Sequence, residues 1–184
     1  MKNLTSVALL AVVVSSLAFA DEAPAAEGSG MHRPGFLLDR AEHSRDMILD
    51  LHVTLPYGHF FFGGFGIGVG GVFYIPLVRD GFIPPLNDEF GIDFGADVVL
   101  YPGYISGIFS LTVPVTVVWT FHITDTFSAY AKAGIALRVW PGSLYAIYPD
   151  PVGAAGINYM LSKSFGLRAE VGYPGIKVGI LLTF

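Results

Sequence analysis

The sequence contains no cysteine, and this absence excludes several kinds of site. Without thiols there is no disulfide framework, no thiolate metal site and no cysteine nucleophile. Charged residues are also scarce, at 14% of the 184 residues, and the formal net charge is −5. Because nucleic-acid binding needs a concentrated basic patch, we expect no nucleic-acid partner.

Long apolar runs are missing after the first 20 residues, although 53% of the chain is hydrophobic. No later segment has the roughly 18 uninterrupted apolar residues that a membrane-spanning helix needs. Residues 1–20 combine a positive start at Lys2, an apolar core over 7–14 and the small-x-small sequence Ala18-Phe19-Ala20. This pattern predicts a secretory signal peptide cleaved directly after that sequence. We expect the Pro-, Ala- and Gly-containing segment 21–45 to be a flexible lead-in on the periplasmic side.

From residue 46 onward, apolar and polar residues alternate. In the clearest segment the odd-numbered residues from Phe109 to Phe121 are apolar, and the even-numbered residues from Ser110 to His122 are mostly polar. A period of two predicts strands with one apolar face. Eight segments follow this pattern, at about 46–56, 62–75, 89–100, 109–122, 127–139, 152–161, 165–173 and 176–184.

The composition of the two faces distinguishes a membrane barrel from a soluble one. A soluble barrel points its apolar face inward and a charge-rich face outward, whereas here the polar face is mostly Gly, Ser, Thr and Ala. An open sheet edge in lipid would leave backbone groups unpaired, so the sheet must close. We predict an all-β, closed, antiparallel eight-stranded transmembrane barrel in up-and-down order. Large aromatic residues near the strand ends fit its girdles: Phe109, Trp119, Phe121, Phe127, Tyr173 and Phe184.

Aromatic-Pro-Gly turns follow several odd-numbered strands, at Tyr101-Pro102-Gly103, Trp140-Pro141-Gly142 and Tyr173-Pro174-Gly175. We place these turns on the extracellular rim, where short aromatic loops are expected at 59–62, 101–104 and 144–148. Two interpretations of these loops stay open. Their side chains lie at the lipid-headgroup boundary, or they form a sticky rim that contacts a protein or a hydrophobic ligand. The longest opposite connection is the Pro-rich stretch 76–88.

The polar face carries a nearly balanced set of charges that we expect inside the barrel. Asp50 and His52 are expected to join Glu170 and Lys177 near the closing hairpin, and Lys132 and Arg138 are candidates to pair with Asp93 and Asp97. The full set is Asp50, His52, Glu89, Asp93, Asp97, His122, Lys132, Arg138, Arg168, Glu170 and Lys177.

Two interpretations of this interior stay open. Buried charges must pair, which favours a rigid salt-bridged plug. The alternative is a narrow polar conduit, and the glycine row Gly64, Gly66, Gly68 and Gly70 favours it by leaving space on one wall. The other explanation of this glycine row is that it serves barrel curvature, or that it gives room to a large neighbour such as Arg138.

The sequence contains no convincing catalytic, cofactor or metal motif. Gly66-x-Gly68-x-x-Gly71 has the spacing of a dinucleotide fingerprint, but it lies within a predicted strand and no helix follows. The five histidines lack metal-ligand spacing, and no serine pairs convincingly with His59 at the rim. We therefore expect no catalytic residues, no metal and no cofactor.

The leader, the eight amphipathic strands and the final KVGILLTF together resemble the small outer-membrane barrels of the OmpA/OmpX type. The resemblance implies an outer-membrane location, contact with outer-membrane lipid, and recognition of the last strand by the barrel-assembly machinery. It also implies a structural or interaction role. The alternatives are a narrow transport barrel for ions or a small hydrophobic molecule, and an outer-membrane lipid-modifying enzyme. The matching assembly-signal positions are Tyr173, Ile176, Val178, Ile180, Leu182 and Phe184.

Overall fold

The computed structural model describes residues 34–39, 46–56, 66–101, 108–140 and 147–184. Its eight strands form a closed barrel in which each strand pairs antiparallel with the next and β8 pairs with β1. The predicted closed eight-stranded meander is therefore confirmed. The strands are β1 (Ile48–Pro56), β2 (Ile67–Val78), β3 (Asp88–Tyr101), β4 (Ile108–His122), β5 (Phe127–Val139), β6 (Ile147–Met160), β7 (Phe165–Tyr173) and β8 (Gly175–Thr183).

Several sequence predictions fall on residues outside these ranges. They include the signal peptide 1–20, most of the lead-in 21–45, the rim loop 59–62 and most of the other two rim loops. Among the described residues, no helix is long and apolar enough to cross a membrane.

The barrel has two distinct ends. β1 begins and β8 finishes at one of them, which we call the terminal end, together with the β2–β3, β4–β5 and β6–β7 connections. The opposite end, called the far end, carries the other four connections. The segment 34–39 lies at the terminal end, where the backbone N–H of Asn87 donates to the carbonyl of Leu37 (2.8 Å).

The sixth strand begins at Ile147, earlier than the predicted start at 152, and the added residues include Pro149 and Pro151. Pro149 and Pro151 lie in register with Leu137 and Ile135 of β5. Pairing with β7 starts only at Gly153, so residues 147–152 form a strand edge. Proline lacks an N–H group and is tolerated at such an edge, where that group would have no partner.

The strands expose their apolar face and bury their polar face. Outward side chains such as Val69, Ile135 and Val178 are 63%, 62% and 59% exposed. Apart from Asp88 at the start of β3, every charged residue in the strands is on the inward, polar face of its strand. A soluble barrel has the opposite arrangement, and its outer face is polar because water surrounds it.

The glycine row of β2 serves close packing with β3 and leaves no groove. A Cβ on Gly68 would meet the side chain and backbone of Val99, and one on Gly70 would overlap the Asp97 carboxylate. The space beside these two glycines is therefore occupied by β3. The suggested groove is wrong for these positions, and so is room for Arg138. Gly64 lies outside the described residues.

Inward tyrosines also depend on glycines of the neighbouring strand. The ring of Tyr74 lies on Gly91, and the ring of Tyr130 lies on Gly156, where a Cβ would overlap it. Each ring contacts the barrel wall and is almost fully buried. A side chain at either glycine would push the ring into the charged interior.

We predict that Gly156→Ala destabilises the barrel by about 1–3 kcal/mol, because the new methyl group overlaps the Tyr130 ring. Gly153→Ala is the matched control on the same strand, since a Cβ there meets nothing within 4 Å. The control should change stability by less than about 0.5 kcal/mol. Urea unfolding of the refolded protein in detergent micelles measures both. Equal stability of the two variants would contradict the packing described here.

Candidate functional site: the charged interior

Ten of the eleven predicted interior residues are buried, with 1–8% of their surface exposed. The eleventh, His122, lies nearer the terminal end, and its side chain is 23% exposed. Its Nε2 atom is 3.7 Å from Oε2 of Glu89, which makes a small pair at that end. The period-two pattern therefore predicted the direction of these side chains. Their partners depend on the three-dimensional arrangement of the strands.

One chain of contacts runs from β1 to β3 and β8. Nε2 of His52 is 2.6 Å from Oδ1 of Asp97, and its Nδ1 is 3.4 Å from Oδ1 of Asp50. Nζ of Lys177 donates to Oδ2 of Asp97 (2.8 Å). Gly70 of β2 is in register with both His52 and Asp97. Because Gly70 has no side chain, the histidine and the aspartate meet across it.

A second chain of contacts is centred on Lys132 of β5. Its Nζ is 2.7 Å from Oε2 of Glu170 and 3.4 Å from Oδ2 of Asp93. The Tyr130 hydroxyl donates to Glu170 (2.8 Å), and the Thr116 hydroxyl donates to Asp93. Here too a glycine lies between bonded partners, because Gly156 of β6 is in register with both Tyr130 and Glu170.

Arg168 joins the two chains into one network. Its Nη1 donates to Asp50 (3.2 Å), and its guanidinium carbon lies 4.7 Å from the centre of the Tyr130 ring. Nε donates to the Asn158 side chain (2.8 Å), which in turn donates to Ser128 (3.1 Å). Every strand except β2 contributes a side chain, so the network crosses the whole lumen.

The charges of this central network balance when His52 carries a proton on both nitrogens. Four carboxylates, from Asp50, Asp93, Asp97 and Glu170, face three permanent cations, from Lys132, Arg168 and Lys177. His52 lies between two of those carboxylates and supplies the fourth positive charge in that state. Unpaired buried charges are costly, so this balance stabilises the folded barrel.

Arg138 has a different partner from the one expected. Its Nη2 is 2.7 Å from Oδ2 of Asp150, and it is not paired with Asp93 or Asp97, which bind lysines. The Tyr173 hydroxyl donates to Oδ1 of Asp150 (3.1 Å). Asp150 lies before the predicted start of the sixth strand at 152, so it was not among the predicted interior residues. The Arg138 expectation is therefore wrong, and this pair forms a separate layer toward the far end.

Two aromatic residues assigned to the extracellular rim turn inward instead. Tyr101 is 1% exposed and stacks on Trp140 with ring centres 5.1 Å apart. Nε1 of Trp140 donates to the Tyr148 hydroxyl (2.9 Å). Tyr101 is the last residue of β3 and Tyr148 the second residue of β6, and each lies on the inward face of its strand. For Tyr101 and Tyr148 both the headgroup-boundary and the sticky-rim interpretations are wrong, since these side chains help close the far end from inside.

Glu170 and Lys177 are in register across the last hairpin, as their spacing suggested. Their close ionic contacts are made elsewhere, to Lys132 and to Asp97 respectively. The network thus links distant strands in addition to neighbours. Uncharged members such as Tyr130, Asn158 and Thr116 have the inward parity in the sequence, but they carry no charge that marks them as members of the network.

The C-terminal column lies on the outer surface. Tyr173, Ile176, Val178 and Ile180 are exposed, Leu182 is partly exposed, and Phe184 is 64% exposed. The backbone N–H of Phe184 donates to the carbonyl of Met47 (3.0 Å), which attaches the last residue to the start of β1. Within the described ranges, no group of three or more His, Asp and Glu residues is arranged to hold a metal ion.

Comparison with known proteins finds similar solved structures but no matching protein family. No family model matches the sequence, and no curated protein matches it. A barrel from "De novo design of transmembrane beta-barrels" matches with a TM-score of 0.48 and 17% identity, covering 78% of this chain and all of the designed one. Ail, the attachment invasion locus protein of Yersinia pestis, matches with a TM-score of 0.39 and 14% identity, covering 75% of this chain and 93% of Ail.

We predict that Lys132→Met lowers the free energy of unfolding by about 3–5 kcal/mol, because Asp93 and Glu170 lose their shared cation in a buried site. Adding Glu170→Gln should restore part of the loss, since one unpaired carboxylate is then removed. The control is Lys163→Met in the exposed β6–β7 turn, with a change below about 0.5 kcal/mol. Urea unfolding in micelles measures all three. A Lys132→Met barrel as stable as the control would contradict the network.

Proposed function

We propose that this protein spans the bacterial outer membrane as a non-catalytic β-barrel with a structural or interaction role, and that its interior is a closed plug. The observation that carries the proposal is the combination of an apolar outer surface and a lumen crossed by ion pairs. The outer surface supports the membrane location. The lumen supports a structural role over transport.

The outer surface has the character that hydrocarbon requires. Large apolar side chains are exposed on every strand, and the charged inward residues are hidden behind them. Near the terminal end, the exposed Phe82 packs on Phe90 and Trp119, with ring centres 5.3 and 6.5 Å away. Nε1 of Trp119 donates to Asp88 (2.7 Å), so its polar atom is satisfied. Such aromatic groups are favoured at the membrane interface.

The orientation follows from the predicted leader and the position of the termini. A chain exported by a signal peptide and inserted as a barrel keeps its terminal end in the periplasm, and the far end then faces outward. The aromatic cluster of Phe82, Phe90, Trp119 and Phe121 would lie at the periplasmic boundary of the membrane. Phe109 and Ile147 would lie at the outer boundary. This assignment gives the two ends different surroundings.

The interior supports a plug more than a conduit. Asp93 and Asp97, which a water path would have to pass, are 1% and 4% exposed and bound to lysines. An eight-stranded barrel is just wide enough for side chains to fill. Opening a path would separate buried ion pairs, and each separated charge costs several kcal/mol. Toward the far end, Arg138 and Asp150 form a second obstruction.

We predict that the purified protein forms no ion channels in planar lipid bilayers, because the central network and the Arg138–Asp150 layer both block the lumen. Single-channel recording over a range of voltages measures this, with a general porin as the positive control for insertion. Inserted protein can be verified by its heat-dependent gel mobility. Reproducible channel events that change in the Asp97→Asn variant would favour the narrow transport barrel instead.

We also predict that deleting Phe184 blocks assembly into the outer membrane while export to the periplasm continues. The proposed reason is that the barrel-assembly machinery reads the terminal aromatic residue of β8, which lies exposed beside the start of β1. Phe184→Tyr is the matched control and should assemble normally. Cell fractionation with heat-modifiable gel mobility measures the outcome. A normal heat-modifiable barrel in the deletion variant would refute the signal.

A further inference from the structure

A cavity of about 230 Å³ opens at the terminal end of the barrel, and Ser128, Asn158 and Arg168 of the central network form part of its wall. Its mouth is formed by the β4–β5 and β6–β7 turns, including Asp125 and Lys163. Its deep end is formed by Tyr74, Val118 and Leu181, each at most 3% exposed. Because the central network lies beyond these residues, the cavity is a blind chamber. Its size suits a small solute and is below that of a typical drug-sized ligand site.

One wall of the cavity offers hydrogen-bond donors. Arg168 lines it, with Nε bound to Asn158 and Nη1 bound to Asp50, so Nη2 is the guanidinium nitrogen without a hydrogen bond among the described residues. Ser128 accepts a hydrogen bond from Asn158, and its own hydroxyl proton is left to donate. Arg168 is held rigidly by these contacts and by Tyr130, which is the preorganisation that anion recognition needs.

The opposite wall offers an acceptor. Glu89 of β3 lines the cavity beside His122, and β3 stands four strands from β7, which carries Arg168. In a closed eight-stranded barrel, strands four apart are on opposite sides. A carboxylate has lone pairs for several donors, so Glu89 can accept from a ligand in addition to the contacts it already makes. The chamber therefore has a fixed cation on one side and a carboxylate on the other.

We propose that this chamber is a binding site for a small zwitterion, such as a free amino acid. The ligand carboxylate binds Nη2 of Arg168 and the hydroxyl of Ser128, and its ammonium group binds Glu89. The lining carries charges of both signs, with Asp46, Glu89 and Asp125 on one side of the count and Lys163 and Arg168 on the other, which suits a ligand that also carries both. The apolar deep end, from Tyr74 to Leu181, suits the short carbon chain between the two charged groups.

This site goes beyond the proposed structural role and does not depend on it. A barrel that binds a zwitterion and also conducts ions would contradict the plug while leaving the site intact. A barrel that neither conducts nor binds would keep the plug and remove the site. The two proposals can therefore fail separately.

The experiment is a chemical-shift titration of the refolded, isotope-labelled chain in detergent micelles. The probes are glycine, β-alanine and 4-aminobutyrate, in which the separation of the ammonium and carboxylate groups increases in that order. Acetate carries only the negative charge, and ethylammonium only the positive charge. We expect at least one zwitterion to bind about tenfold more tightly than either single-charge probe, with shifts at Ser128, Arg168 and Glu89. Such a ratio follows from one additional charge-assisted contact.

Variants locate the two charged contacts. Glu89→Gln should reduce the affinity for the zwitterion to the affinity for acetate. Ser128→Ala should weaken the binding of the zwitterion and of acetate about fivefold each, through the loss of one hydrogen bond. Tyr173→Phe, at the far end, is the control and should bind as the unaltered chain does. These substitutions leave the central ion pairs in place, whereas Arg168 cannot be tested cleanly because it also holds Asp50.

Two results would overturn the proposal. If acetate binds as tightly as every zwitterion, and Glu89→Gln leaves the zwitterion affinity unchanged, the ammonium contact with Glu89 is refuted and a zwitterion is not the ligand. No saturable shift with any of the five probes would remove the site itself.

Discussion

Hydrogen-bonded pairs that reach across a glycine of the intervening strand hold this barrel together from inside. His52 meets Asp97 across Gly70, and Tyr130 meets Glu170 across Gly156. Neighbouring strands are already joined by their backbones, so contacts between alternate strands add a constraint that the sheet alone lacks. The buried charges have little water to bind, and each needs a partner within the wall or the lumen. The rest of the structure is consistent with this requirement.

The same pairs set the register of the strands. A shift of one residue would move a strand's charged side chains to the outer face and its apolar side chains into the lumen. In a membrane both changes are costly, because the outer face then exposes charge to hydrocarbon. Lys132, which contacts carboxylates from β3 and β7, makes the correct register of three strands depend on one another. Closure and charge pairing therefore stabilise each other.

The two ends of the barrel differ in a way that bears on function. The far end is closed by the inward rings of Tyr101 and Trp140 above the Arg138–Asp150 pair. The terminal end keeps an open chamber that reaches down to Arg168. A symmetric pore would need both ends open and a polar path between them. Among the described residues, the structure instead combines a lumen crossed by ion pairs with a pocket that opens at the terminal end.

The period-two pattern by itself determined the eight-stranded barrel, the outward apolar face and the inward direction of the charged residues, because alternation is a local property of each strand. Only the tertiary structure decided the partners. Arg138 binds Asp150, and Tyr101 turns inward onto Trp140. The first contact depends on the register between β5 and β6, and the second joins the end of β3 to the residue after β5, across strands that do not pair. The prolines around Asp150 concealed a strand edge, since a local turn signal cannot report that a partner strand ends early.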